Sequence, residues 1–128
     1  MNNSLILSTF ISQIDEYLDD ISKTYAVDNR FERGRLYLEG IKKSNPRIII
    51  TTWKTMVTDK YAEQIEAGDI EYFLNKDFTE DAPGNYTPTV DSVIQELRAT
   101  VRRMSEENKA VSLKYIQNLC KLSKLYVY

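Results

Sequence analysis

The 128-residue sequence contains no histidine, one cysteine and few residues that break regular structure. Without histidine, imidazole acid–base catalysis, Ser-His-Asp or Cys-His catalysis and His-containing zinc sites are excluded. Cys120 alone can form neither an internal disulfide nor an all-cysteine metal site, which favours a reduced, intracellular setting. The four glycines and three prolines leave little room for long loops, so helices are favoured.

Long apolar runs are also missing. No stretch approaches the roughly 18 apolar residues that a membrane span needs. The run Leu5-Ile6-Leu7 has no basic flank and is soon followed by acidic residues, unlike a signal peptide. We therefore expect no membrane partner. The net charge of −2 and the pI near 5.2 argue against a protein whose main role is to wrap nucleic acid.

The first half of the chain has clear helical periodicity. Apolar residues recur at i, i+3, i+4 and i+7 over residues 4–25, and Asn3 or Ser4 is the expected cap of this helix. Its four acidic residues (Asp15, Glu16, Asp19, Asp20) are expected to form a solvated face, with binding of a cation or a basic partner as the alternative. A second helix is expected from Asp28 to about Lys43. Gly34 on its apolar stripe is either a place of close helix approach or a weak spot.

The central stretch from Asn45 to Phe78 contains the only tryptophan and a dense apolar run. Asn45 and Pro46 predict a helix start, although the β-branched residues of 47–53 leave a strand as the alternative. We prefer the helix because a lone strand would have no hydrogen-bonding partner. The sequence then predicts a helix that restarts at Asp59 and ends at Gly68 in the left-handed conformation. A short helix capped by Asp69 follows.

The sequence after Phe78 predicts one exposed loop near residues 79–88, where Pro-Gly and polar residues cluster. A helix with Val90, Val93, Ile94, Leu97, Val101 and Met104 on one face follows, and Ser105 with two glutamates starts the last helix. The apolar positions of that last helix cover more than half of its circumference, which indicates a central helix or a partner. The sum is an all-α, single-domain, compact bundle of five to seven helices.

Three groups of residues are candidates for a site. The acidic group matches no calcium-loop spacing, so we expect no metal and no cofactor; its members are Asp69, Glu71, Asp77, Glu80 and Asp81. Arg98, Arg102 and Arg103 form the best candidate contact for phosphate or nucleic acid, although an exposed face that pairs with Glu96, Glu106 and Glu107 explains them as well. Cys120 lies in an apolar stripe and is expected to be a buried structural thiol rather than a nucleophile.

A protein interface is a further candidate. Nine tyrosines, several of them late in helices, and an apolar tail suggest that Leu119, Leu122, Tyr126 and Tyr128 contact a partner, or that the tail docks on its own domain. Phosphate-binding loops, nucleophile elbows and paired catalytic carboxylates are absent from the sequence. We therefore expect no enzymatic activity.

Three pieces of sequence carry a resemblance to a known family: Asn45-Pro46-Arg47 through Trp53, Gly68-Asp69-Ile70 through Asp77-Phe78, and Lys114-Tyr115-Ile116 through Leu125-Tyr126. Together they resemble a family of short, uncharacterised helical proteins encoded by large DNA viruses of algae and protists. The resemblance covers the chain from about Ile41 onwards. It implies a viral protein in the host cytoplasm, the nucleus or the virion, and it carries over no functional residues.

The sequence thus favours a non-enzymatic helical protein that binds another protein or itself. The alternative is a nucleic-acid-associated regulatory protein that uses the arginine-rich helix face. A distant third interpretation is a metal-dependent phosphate-ester hydrolase built on Asp69, Glu71 and Asp77.

Overall fold

All the elements that the structure assigns are helical. The structure, a computed structural model, describes residues 2–24, 29–75, 95 and 97–127. The helices are α1 (Asn3–Thr24), α2 (Asn29–Ser44), α3 (Arg47–Trp53), α4 (Asp59–Glu66), α5 (Ile70–Asn75), α6 (97–102) and α7 (Glu106–Leu125), with a π-helical turn, Lys54–Thr58, between α3 and α4. The all-α prediction is confirmed.

The two terminal helices, α1 and α7, pack along each other and form the frame of the fold. The side-chain oxygen of Asn2 accepts the Leu5 amide at 2.9 Å and caps α1, so the predicted caps Asn3 and Ser4 were wrong. Asn3 has another role. Its amide donates to the Val127 carbonyl and accepts the Val127 N–H at 3.1 Å, which ties the start of α1 to the end of the chain.

The central segment is one continuous helical run from Arg47 to Glu66. The alternative of a strand over 47–53 was wrong. The helix predicted from Asp59 is present as α4, but it follows the π turn without a break, because the Asp59 N–H donates to the Lys54 carbonyl in an i→i+5 bond. Asn45 does not provide the predicted side-chain cap, since Pro46 occupies the N-cap position of α3 and makes no such bond.

Burial of side chains explains why residues 47–53 form a helix although several of them are β-branched. Ile50 is fully buried against the first half of α1, and the π turn permits three consecutive residues, Met56, Val57 and Thr58, to be buried together. An isolated strand could not satisfy its backbone groups and bury these side chains at the same time. Tertiary packing therefore outweighs the local β propensity here.

The sharp turn after α4 follows the sequence prediction. Gly68 adopts φ +88°, the left-handed conformation, and the Asp69 carboxylate accepts the Tyr72 N–H at 3.1 Å as the cap of α5. The Gln117 side chain of α7 donates to the Ile65 carbonyl at 2.9 Å and satisfies one of the last carbonyls of α4. The corner is therefore held by both local and distant contacts.

The start of α7 was also predicted correctly. The Ser105 side chain accepts the Asn108 N–H at 3.2 Å, and Glu106 and Glu107 occupy the first turn. The predicted loop near 79–88, the Asp28 cap and Phe78 lie outside the described residues. The predicted helix from Val90 to Met104 is described only from residue 95, and α6 ends two residues before Met104.

The buried side chains form two clusters. The larger lies where α1, the π turn, α4 and the middle of α7 meet, and the smaller joins both chain ends to α3. Ile14 and Trp53 pack against both clusters. Each fully buried aliphatic or aromatic side chain contributes about 1.5–3 kcal/mol to folding. The smaller cluster consists of Ile6, Phe10, Ile50, Leu119 and Tyr126.

Candidate functional site: the cavity beneath helix α2

An apolar cavity of about 180 Å³ lies between α2, the middle of α1 and the α3–π segment. Its walls include Leu18, Leu38, Ile41, Ile49, Met56 and Val57. No charged side chain is among the lining residues that the structure describes. The lining is almost entirely apolar, and removing such surface from water is favourable. The cavity is therefore a place where an occupant would add stability.

Two ion pairs and a hydrogen bond join helix α2 to α1. Arg35 binds the Asp19 carboxylate at 2.6 Å and the Ser22 hydroxyl at 3.2 Å, and Lys42 binds the Asp15 carboxylate at 2.9 Å. The Arg35 hydrogen bond lowers the pKa of Asp19. The acidic face of α1, predicted to be solvated, thus serves partly as the docking site of α2.

The apolar face of α2 meets the cavity rather than a close-packed helix. None of the described side chains of α2 belongs to the buried core, whereas Leu38 and Ile41 are half-buried at the cavity wall. The sequence left open whether Gly34 allows another helix to approach closely or is a weak spot of α2. In the structure Gly34 is buried and lines the cavity. On the outer side, Leu36 is 72% exposed.

A second recess lies on the other side of Tyr17, which lines both spaces. The Tyr17 ring stacks on Tyr115 with a centroid separation of 4.9 Å, and the Tyr115 hydroxyl donates to Asp20 at 2.7 Å and to Glu16 at 3.2 Å. Burial and the two carboxylates raise the pKa of Tyr115. These acids therefore act mainly as acceptors for a tyrosine of the same chain.

The predicted arginine cluster is divided between structural and exposed roles. Arg98 is only 3% exposed and donates through Nε to the Leu74 carbonyl at 2.8 Å, and Arg102 donates to the same carbonyl. Leu74 lies in the last turn of α5, where carbonyl groups lack helical partners and attract cations. Arg103 is exposed and contacts Thr100 at 3.4 Å. The three guanidinium groups thus do not form one exposed surface.

The residues proposed as a protein interface are mostly internal. Leu119 and Tyr126 are buried in the smaller core cluster, and Leu122 packs against that cluster. The expectation that Leu119 and Tyr126 face a partner was therefore wrong, because the broad apolar face of α7 is covered by α1 and α3 of the same chain. The tail docks on its own domain as far as Val127. Tyr128 lies outside the described residues.

Cys120 is buried, as predicted, and belongs to the larger core cluster. Burial raises the pKa of its thiol, although Thr58 and Trp53 nearby act in the opposite direction. Thr58 and Ser123 form a hydrogen bond with 2.6 Å between their hydroxyl oxygens, and Ser123 donates to the Cys120 carbonyl at 2.8 Å. Sequence reasoning missed this pair, because serine and threonine at these positions fit a solvent-facing helix surface equally well.

Comparisons of the chain with known proteins leave its family open. No protein-family model, curated protein or solved structure is significantly similar to it. No helix in the described ranges is both long and apolar enough to cross a membrane. In the same part of the chain, no three Asp, Glu or Cys residues are grouped so that they could hold a metal ion.

Proposed function

We propose that this protein is a non-enzymatic, helical interaction protein that binds another protein, or a second copy of itself, through the outer face of α2. A viral origin in an infected cell, as the family resemblance implies, is part of this proposal. The observation that carries it is Leu36, which is 72% exposed on a helix joined to α1 by two ion pairs. Tyr37 beside it is also exposed.

The attachment of α2 supports a role in binding. Ion pairs between partly exposed side chains stabilise a fold by only about 0–1 kcal/mol each, much less than the packing of a core helix. Elements that bind partners are commonly drawn from such weakly held parts of a structure. A partner that covers Leu36 and Tyr37 would remove a large aliphatic and an aromatic side chain from water, which favours association.

The residue chemistry supports a non-enzymatic role. The chain has no histidine, and the thiol of its single cysteine is buried with a raised pKa, so it is not poised as a nucleophile. The nucleic-acid alternative is weaker than the sequence suggested, since Arg98 and Arg102 already bind the Leu74 carbonyl.

Affinity capture of the tagged protein from its native cell, with and without nuclease, tests the proposal. We expect a stoichiometric protein partner that survives nuclease, or a defined oligomer in sedimentation. Leu36→Asp should abolish the association. The matched control is Leu125→Asp on α7, which changes a leucine that is 55% exposed and should retain it. A strictly monomeric protein that captures nothing would overturn the proposal, and loss of all partners on nuclease treatment would favour the arginine face.

A further inference from the structure

We propose that the cavity beneath α2 is a binding site for one small, uncharged, apolar molecule, with α2 as its movable wall. The ligand class is an aromatic or branched aliphatic molecule of roughly ten non-hydrogen atoms. This inference differs from the partner-binding proposal in its main contacts, because Leu36 faces solvent whereas Leu38 and Ile41 of the same helix line the cavity; Tyr37 belongs to both surfaces.

The size of the cavity sets the size of the ligand. An apolar cavity of about 150 Å³ that is lined by aliphatic and aromatic side chains stays dry and binds benzene. The cavity beneath α2 has about 180 Å³ and the same kind of lining, so it accommodates a molecule somewhat larger than benzene. Binding requires no large rearrangement of the core, since the space is already open between α1, α2 and the α3–π segment.

The lining sets the polarity of the ligand. The hydroxyl of Tyr17 and the indole N–H of Trp53 belong to lining residues but are themselves shielded from contact with solvent, so they do not present their polar atoms to the cavity. With no charged group among the described lining residues, a carboxylate or ammonium group on the ligand would be desolvated without a partner. The site therefore selects uncharged molecules.

Entry is expected at the edge where α2 meets α1. The Arg35–Asp19 and Lys42–Asp15 pairs join the two helices there, and all four side chains keep some contact with solvent. Salt screens such pairs, so raising the ionic strength should make separation of α2 from α1 easier. Because these pairs do not contact the ligand, salt should change the rate of binding more than the affinity.

Naphthalene is a suitable probe, with 2-naphthoate as the charged molecule of the same ring size. We expect saturable one-to-one binding of naphthalene by calorimetry, with at least tenfold weaker binding of 2-naphthoate. Shifts of methyl resonances from Leu18, Ile41 and Met56 should locate the ligand. The association rate should rise several-fold between low and moderate salt.

Ile41→Trp fills the cavity from α2 and should abolish binding. Leu36→Trp places the same side chain on the exposed side of α2 and should bind as the wild type does. Ile48→Trp fills the cavity from α3 and replaces Ile41→Trp if circular dichroism shows that the first variant is unfolded. The proposed site would be overturned if naphthalene did not bind the wild type or bound the filled variants equally well. It would also be overturned if 2-naphthoate bound as tightly as naphthalene. An association rate independent of salt would overturn the role of α2.

Discussion

The hydroxyl groups of Thr58 and Ser123 are hydrogen-bonded inside the core, 2.6 Å apart, although 65 positions separate them in the sequence. Ser123 donates its own proton to the Cys120 carbonyl, so the proton in the shared bond comes from Thr58. The bond links the π turn of the central helix to α7. Both side chains are buried, and each depends on the other to satisfy a polar group.

The two single variants of this pair should differ. Ser123→Ala leaves the Thr58 donor buried without its acceptor and should lower the free energy of unfolding by about 1–3 kcal/mol. Thr58→Val removes the donor and should lower it by about 1 kcal/mol. Chemical denaturation of both variants and of the double variant gives the coupling energy. A coupling near zero would show that the bond is not formed in solution.

Arg98 should contribute to stability rather than to nucleic-acid binding. Arg98→Met keeps much of the apolar stem but removes the donor to Leu74, and should lower the free energy of unfolding by about 1.5–3 kcal/mol. The control, Arg103→Met, changes an exposed arginine and should remain within about 0.5 kcal/mol of the wild type. Thermal denaturation and a salt-dependent nucleic-acid titration distinguish the roles. Unchanged stability with lost nucleic-acid binding in Arg98→Met would contradict this assignment.

Two glycines should respond to alanine in opposite directions. Gly68 has φ +88° and a Cβ there would lie 4.0 Å from Leu113, so Gly68→Ala strains the backbone without a clash and should be destabilising by about 1–2 kcal/mol. Gly40 lies within α2, and a Cβ there meets no described atom within 4 Å. Gly40→Ala should therefore be stabilising by up to about 1 kcal/mol. Denaturant midpoints measure both. An equal effect of the two substitutions would refute the left-handed turn.

High pH should destabilise the protein through Tyr17. Burial raises the pKa of its hydroxyl from 10.0 to about 12, although Ser112 nearby slightly favours the ionised form. Between these values the unfolded chain releases the proton and the folded chain retains it, so stability falls as the pH rises. The expected loss by pH 12 is about 2–3 kcal/mol.

Tyr17→Phe removes this contribution and should reduce the alkaline loss of stability, measured by denaturation between pH 9 and pH 12. Tyr37→Phe controls for the loss of one hydroxyl from an exposed position and should retain the loss. Because Tyr115 is stacked on Tyr17 and its pKa is also raised, some loss should remain in Tyr17→Phe. An alkaline profile that is identical in wild type and Tyr17→Phe would show that the hydroxyl is hydrated in solution.

Local sequence patterns predicted the structure correctly wherever a backbone group finds its hydrogen-bond partner within a few residues. Apolar periodicity predicted α1, α2 and α7, and the conformational freedom of Gly68 and the short side chains of Asp69 and Ser105 placed the turn and two helix starts. Each of these features depends on contacts three or four residues away. The sequence alone therefore determined them, together with the all-helical class.

Only the tertiary structure decided which way the ambiguous side chains point. Arg98 faces the end of α5, and Leu119 and Tyr126 face α1 and α3, because those partners are distant in sequence and no local pattern specifies them. Asn3 is another example. Its side chain would fit a helix cap equally well, but it forms hydrogen bonds with Val127, which is 124 positions away in the sequence. The cavity arises in the same way, since α2 reaches α1 through long charged side chains that hold the two helices together without filling the space between them.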